Sequence, residues 1–361
     1  MFGVYVHVPF CVSRCDYCAF ATWTDRFHLV DDYVSACTSA AASITRPATS
    51  VFFGGGTPSL LSPAQIGSII DSLDLAPDAE VTVECNPETV DHPKLSGYAS
   101  AGVNRLSFGV QSLAPHVLQT LGRSHDPDSV ARAVDAAARA GFAGSYSVDL
   151  IMGGAGETGA DWTSTLNGVL ALDPPPRHVS AYGLTVEPGT PLAGDPTRHP
   201  DPDDQADKYL DASTILEEAG LHWYEISNWA RPGAECRHNQ LYWEQGEYIG
   251  VGCAAHSHTV DTDTGWARRW WNVRTPDRYI SLIGEGQTGE SAGEDLDPAT
   301  RRREALELSL RTTRGVPRAA LPGWSDDEVL ADLVVAAPGD RLVLTVAGRL
   351  LANEVALRLV V

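Results

Sequence analysis

The chain has 361 residues, enough to bury a large core and to form two or three domains. Its 43% hydrophobic and 20% charged residues are those of a globular protein, which excludes disordered and fibrous classes. A formal net charge of -21 repels phosphate backbones and sets nucleic acid aside as a partner.

Taken in chain order, residues 4 to 186 alternate short apolar runs with stretches of helical periodicity. Strands are predicted over residues 5–9, 50–53, 80–85, 105–110, 145–151 and 179–185. Helices are predicted over 30–43, 63–73, 90–101, 115–121, 129–140 and 161–172. Six strand–helix repeats imply parallel strands joined by right-handed crossovers. Six is short of the eight that close a barrel, so the expected fold class is α/β, a partial (β/α)6 TIM-like barrel with its functional residues at the C-terminal ends of the strands.

A Pro- and Asp-rich stretch, "DPTRHPDPDDQ", is read as a break in this rhythm. A helix is expected over 206–219, followed by an aromatic-rich segment to about residue 283, a capped amphipathic helix beginning "DPATRRREALELSL", and a hairpin running into a helix within "DRLVLTVAGRLLANEVALRLV". The predicted domains are therefore a barrel over 1–195, an α+β extension over 196–290, and a small winged-helix-like module over 291–361. No run of 18 apolar residues is present, and the leading "MFGVYVHVPF" lacks the basic flank of a signal peptide, so no transmembrane segment and a cytoplasmic location are expected. Thiols in that compartment stay reduced, and seven cysteines, an odd number, argue against a disulfide framework.

Three of those cysteines, Cys11, Cys15 and Cys18, fall in "CVSRCDYC", directly after the first predicted strand. Three thiolates on one loop can hold three irons of a [4Fe-4S] cube and leave the fourth iron open to a ligand. A zinc ion completed by a distant His or Cys, or an inert cysteine cluster, would use the same residues, although structural zinc sites usually bring paired arms and four ligands. Downstream, "FFGGGTPSLL" places Gly54, Gly55 and Gly56 before Thr57 and Pro58 at a strand end, where missing side chains let the backbone approach a ligand. In "EVTVECNPETV" alternation puts Val81, Val83 and Cys85 on one face and Thr82, Glu84 and Asn86 on the other, so Glu84 points into the barrel if the valines face the helices. A carboxylate buried there must be paired or hydrogen-bonded, in a structural or a binding role.

The C-x3-C-x2-C loop, with Tyr17 before its last cysteine, resembles the signature of radical S-adenosylmethionine (SAM) proteins. That resemblance implies the partial barrel, a [4Fe-4S] cluster on Cys11, Cys15 and Cys18, and SAM as cofactor. It also implies a SAM pocket of Gly55, Gly56, Thr57, Glu84, Gln111 of "RLSFGVQSL", Arg123 of "LGR" and Asp149 of "SYSVDLIMG", with Tyr5 and Tyr17 against cluster and adenine.

Within the superfamily the chain resembles the branch of oxygen-independent coproporphyrinogen III oxidases (HemN) and HemW-type haem chaperones. The oxidases look like C-x3-C-x2-C-x-C, whereas Phe20 stands at the fourth position here, and only four residues precede Tyr5 where they carry a long extension. "HNQLYW" is similar to the H-N-x-x-Y-W motif of the haem chaperones, and His238 in it is either a haem ligand or a hydrogen-bonded structural histidine; His256 and His258 are further candidates. Arg231, Arg237, Arg268, Arg269, Arg274 and Arg278 form either a basic patch for haem propionates or a solvated surface. The resemblance implies a haem chaperone that binds haem b and passes it to an acceptor such as a respiratory protein, with a flavodoxin or ferredoxin as electron donor. The alternatives are a coproporphyrinogen III oxidase and a zinc-stabilised binding protein; whether the chain is an enzyme stays open, and no catalytic residue is assigned.

Overall fold

The computed structural model describes residues 1–123 and 125–360. The first half is built from β1 (Phe2–Val8), α1 (Val30–Ala41), β2 (Ala48–Gly55), α2 (Pro63–Ile70), β3 (Leu75–Cys85), α3 (His92–Ser100), β4 (Arg105–Gln111), α4 (Pro115–Thr120), α5 (Pro127–Ala137), β5 (Tyr146–Met152), α6 (Gly159–Leu170) and β6 (His178–Gly183). Strands β1 to β6 pair in sequence order and in parallel, as the repeating pattern predicts. Val4, Val6, Val51, Phe53, Val81, Val83, Phe108 and Val148 alternate along these strands toward the helices and are completely or almost completely buried. That apolar shell between sheet and helices supplies the hydrophobic driving force, which frees the inner face of the sheet for polar residues.

The second half continues with α7 (Pro202–Glu218), β7 (His222–Glu225), β8 (Asn228–Ala230), α8 (Arg237–Trp243), β9 (Glu247–Val251), β10 (His256–Val260), β11 (Ala267–Asn272), α9 (Pro276–Gly284), β12 (Glu290–Leu296) and α10 (Pro298–Leu310). These strands extend the barrel sheet on both sides. Its order is β12-β11-β10-β9-β1-β2-β3-β4-β5-β6-β8-β7, with β9 parallel to β1 and β8 antiparallel to β6. The six expected strands are thus the centre of a twelve-stranded open sheet.

Helix α7 starts at Pro202, four residues earlier than the expectation, because the Pro- and Asp-rich stretch read as a break contains its start signal. Asp201 caps the N–H groups of Asp203 and Asp204, and Pro202 at the first position needs no hydrogen bond. On this helix Lys208, 1% exposed, binds the Glu157 carbonyl at 2.9 Å and carboxylate at 3.3 Å, tying α7 to the loop between β5 and α6.

The C-terminal module consists of β13 (Val316–Pro317), α11 (Glu328–Leu333), β14 (Val334–Ala337), β15 (Arg341–Leu344), α12 (Val346–Leu350) and α13 (Ala352–Ala356). Leu310, Val316, Leu330, Leu342 and Val355 form its own core. The hairpin lies earlier than the sequence suggested: β15 pairs with β14, which precedes it, through a turn in which Gly339 and Asp340 both have positive φ.

Candidate functional site

The cysteine loop leaves the C-terminal end of β1 and is anchored at several points. The Cys11 N–H donates to Trp23 O at 3.1 Å, the Asp16 N–H to Leu121 O at 3.3 Å, and Arg198 pairs with the Asp16 carboxylate at 2.7 Å. Tyr17 packs against the apolar cluster that holds Ala114, Val117, Leu121, Ile151 and Leu184, which pins the loop near α4 and the end of β5. Two of the thiols receive donors: Thr57 Oγ1 stands 3.4 Å from Cys11 Sγ, and Arg123 Nη1 stands 3.6 Å from Cys15 Sγ. Burial raises the pKa of the Cys11 thiol, and the Thr57 hydrogen bond opposes that shift.

Across the mouth lies the glycine strand end. A Cβ on Gly55, whose φ is +108°, would fall 2.4 Å from the His7 ring, and one on Gly56 would fall 2.7 Å from Val8 O. Side chains have no room at either position. His7 is held from both nitrogens, Nδ1 by the Tyr5 hydroxyl at 3.0 Å and Nε2 by Ala21 O at 2.9 Å, and burial lowers its pKa to about 4, so it is a neutral spacer.

The alternation in β3 places Val81, Val83 and Cys85 in the core and Thr82, Glu84 and Asn86 on the cavity wall. Glu84 accepts the Gly55 N–H at 3.2 Å; burial first, and the nearby Asp149 second, push its pKa up to about 8. Asp149 accepts the Ser107 hydroxyl at 2.7 Å, and burial raises its pKa too. Arg123 donates through Nη2 to Asn86 Oδ1 at 2.9 Å and Gly109 O at 2.8 Å. Gln111 sits at the end of β4 with φ 65°, a left-handed conformation rare outside glycine and often found at binding sites.

Gly55, Gly56, Glu84, Asn86, Gln111, Arg123 and Asp149 line one cavity of about 770 Å³, together with the three cysteines, Tyr5, Tyr17 and Thr57. Among the described residues no three His, Cys, Asp or Glu side chains converge as a single metal ion requires. A cuboid cluster spreads its protein ligands over three corners and fits the donor set better than mononuclear zinc does. Among the described residues the buried Arg123 Nε has no hydrogen-bond partner and neither Glu84 nor Asp149 forms an ion pair, although Arg105 and Arg123 act on Asp149 from further away; a ligand carrying both an anionic and a cationic group would satisfy both sides.

Several residues of the cavity were not singled out from the sequence. Asn86, which alternation puts on the Glu84 face, binds Arg123; Ser107, which binds Asp149, was missed, and the same alternation applied to β4 would have located it. Arg105 and His178 are also buried cavity residues; Arg105 donates to Ala234 O at 3.0 Å, while its other terminal nitrogen and His178 Nδ1 have no partner among the described residues. Buried polar atoms of that kind are matched by water or a polar ligand.

His238 is 1% exposed on α8 and bonded at both ring nitrogens, Nδ1 with Ser50 Oγ at 2.9 Å and Nε2 with the Tyr242 hydroxyl at 2.9 Å. His258 is buried with Nδ1 on Gly246 O at 2.9 Å, whereas His256 is exposed. Among the six arginines of the segment, Arg237 pairs with Asp78, Arg268 with Glu290, and Arg269 with Glu294 and Glu304. Half of the basic groups are therefore matched by local acids.

Residues 5–168 match the model of the radical SAM superfamily. Over 98% of its length the chain is 40% identical to the heme chaperone HemW of Mycobacterium tuberculosis (strain CDC 1551 / Oshkosh), covering 93% of that protein. It is 38% identical over 90% of its length to the heme chaperone HemW of Synechocystis sp., covering 82% of that protein. Among solved structures, the coproporphyrinogen III oxidase HemN of Escherichia coli, described as a radical SAM enzyme, superposes with a TM-score of 0.82 over 99% of this chain and 89% of its own. At 22% identity this likeness shows a shared fold.

Proposed function

Because the chain belongs to the HemW family of the radical SAM superfamily, we propose that it is a haem chaperone, which holds a [4Fe-4S] cluster and SAM in its barrel, binds haem b and passes it to an acceptor protein. The observation that carries this reading is the convergence of Cys11, Cys15 and Cys18 with Gly55, Gly56, Glu84, Gln111, Arg123 and Asp149 on one cavity, in a chain similar to HemW proteins over nearly its whole length. Phe20, 63% exposed at the position of the oxidases' fourth cysteine, supports the chaperone over the oxidase.

A cluster held on this loop would supply an iron without a protein ligand and one-electron chemistry toward SAM. The protein's part is to hold and orient. Cys11, Cys15 and Cys18 would hold the cluster as thiolates, with Thr57 and Arg123 donating to two of the sulfurs. The bare backbone of Gly55 and Gly56 allows close approach, and Glu84, its pKa pushed up to about 8 by burial and Asp149, would give its proton to solvent on pairing with the SAM ammonium. Arg123 Nε is free for the carboxylate, while Tyr5 and Tyr17 flank the cluster loop and adenine.

No helix among the described residues is long and apolar enough to cross a membrane. We place the protein in the cytoplasm, with a respiratory haem protein as acceptor and a flavodoxin or ferredoxin as electron donor. Val12 and Phe20, exposed on the loop that carries the thiols, give such a donor an apolar contact beside the cluster.

The test is to reconstitute the cluster anaerobically, add haem, and in parallel supply SAM, a reductant and coproporphyrinogen III. Stoichiometric haem binding without porphyrinogen turnover is the expected result. Turnover would make the protein an oxidase, and failure to bind haem would overturn the chaperone reading.

A further inference from the structure

Three buried polar groups without a partner lie together on the inner wall of the barrel. Thr82 on β3, Arg105 on β4 and His178 on β6 are 1%, 7% and 3% exposed, and all three line the cavity. Among the described residues Thr82 Oγ1, Arg105 Nη2 and His178 Nδ1 each have no hydrogen-bond partner. Thr82 and Arg105 are direct register partners. Ser147 on β5 pairs with Ser107, two residues beyond Arg105, and also with His178, so the three groups occupy neighbouring inward positions of one stretch of sheet.

Their chemistry is that of donors. The Arg105 guanidinium forms no ion pair among the described residues: one terminal nitrogen donates to Ala234 O at 3.0 Å, and Asp149 feels its charge only from further away. His178 is neutral, because burial first and Arg105 second hold its pKa well below the ordinary value. Its tautomer follows from its neighbours. Asn239 Nδ2 donates to Glu225 Oε1 at 2.7 Å and to the Tyr224 hydroxyl at 3.1 Å, so the Tyr224 oxygen accepts there and gives its own proton to His178 Nε2 at 2.8 Å. The ring proton therefore sits on Nδ1, the nitrogen without a partner.

Three donors and one unpaired cation call for an anion. A water molecule accepts two hydrogen bonds and must place two protons of its own, whereas one carboxylate accepts from all three donors and supplies the charge missing beside Arg105. These donors are set back from the residues assigned to SAM. Thr82 precedes Glu84 by two residues and Arg105 precedes Gln111 by six, about 7 Å and about 20 Å along their strands, toward the end of the barrel away from the cysteine loop.

We propose that this floor of the cavity is an anion subsite, separate from the SAM pocket, that takes the carboxylate of a small organic acid, with Arg105, His178 and Thr82 donating to it. The subsite does not depend on the haem-chaperone reading, since its unpartnered donors belong to the barrel wall.

The test titrates carbon-13-labelled acetate, acetamide and inorganic phosphate into the anaerobically reconstituted full chain with saturating SAM, reading the acetate resonance and the heat of binding. Acetate should saturate at one per chain, with acetamide and phosphate at least tenfold weaker. Arg105→Gln should weaken acetate binding at least tenfold. Thr82→Val keeps the shape of the side chain without its hydroxyl; it should weaken acetate several-fold with iron content and SAM binding at wild-type levels. That variant decides the matter if Arg105→Gln does not fold, since Arg105 also holds Ala234 O. Absence of saturable acetate binding, or equal binding by wild type and Thr82→Val, would overturn the subsite. Acetamide or phosphate binding as tightly as acetate would overturn the carboxylate assignment, and displacement of acetate by haem would give the site to a propionate instead of a small acid. SAM binding measured alone tests the SAM pocket, so the two readings fail separately.

Discussion

The Glu84 carboxylate accepts the backbone N–H of Gly55 at 3.2 Å, linking the inner face of β3 to the bare glycine end of β2. That bond favours the ionised acid, but burial and the neighbouring Asp149 outweigh it and leave the pKa at about 8.

A cationic SAM ammonium next to Glu84 favours the ionised form, so binding near neutral pH should release a proton. Affinity for SAM should rise by up to about tenfold per pH unit below pH 8 and flatten above it. Calorimetry in two buffers of different ionisation enthalpy measures the proton release, and Glu84→Gln should abolish both the release and the slope. In the ligand-free protein the sign is opposite. The folded-state pKa lies above the ordinary 4.5, so the stability from this group is fully present below that value and is lost as pH rises through about 8. Denaturation midpoints at pH 5 and pH 9, compared between wild type and Glu84→Gln, check this.

Replacing Cys15 with Ala should remove most of the roughly four irons per chain that reconstitution gives, along with the brown charge-transfer absorption. Cys37 is buried in the core beside Tyr33 and Cys253, so Cys37→Ala should retain the wild-type iron content. Equal iron in both variants would remove the cluster from the three-cysteine loop.

Gly55→Ala forces a methyl group to within 2.4 Å of the His7 ring at φ +108°. Overpacking and left-handed strain together should cost about 1–3 kcal/mol. The variant should unfold at lower denaturant concentration and bind SAM at least tenfold more weakly. Gly141, with φ +97° but nothing near its Cβ, is the control: Gly141→Ala should carry the strain alone and leave SAM binding intact.

Lys208→Met leaves the Glu157 carboxylate, which accepts the Gly153 N–H at 2.7 Å, buried without its cation. The loss should be about 3–5 kcal/mol in chemical denaturation, because breaking one side of a buried pair strands the other charge. Adding Glu157→Gln should recover part of that loss. A Lys208→Met protein as stable as the wild type would show that the pair does not hold α7 to the barrel.

The alternating barrel was legible because each strand–helix unit is written locally: Val81, Val83 and Cys85 on one face, and Thr82, Glu84 and Asn86 on the other, follow from the two-residue period of a strand. The same rule extended to β4 and β6 reaches Ser107 and His178, which line the cavity as well. The start of α7 was misread because proline and aspartate serve both loops and helix N-termini, and only the capping bonds of Asp201 distinguish the two. The pairing of β9 with β1 had no signature within reach of sequence periodicity, since the strands lie some 240 residues apart and strand pairing is written in neither one alone.

By itself the sequence determined the units whose partners lie close along the chain: the three thiols within eight residues, the glycine run at a strand end, and the inward side of β3. Only the tertiary structure decided what those and the distant residues meet. It brought Arg123 to Cys15, closed both nitrogens of His238 against Ser50 and Tyr242, and stacked the His256 ring on Trp271. The physical reason is that residue type fixes what a side chain can donate or accept, whereas whether that capacity is already used depends on neighbours delivered by long-range packing.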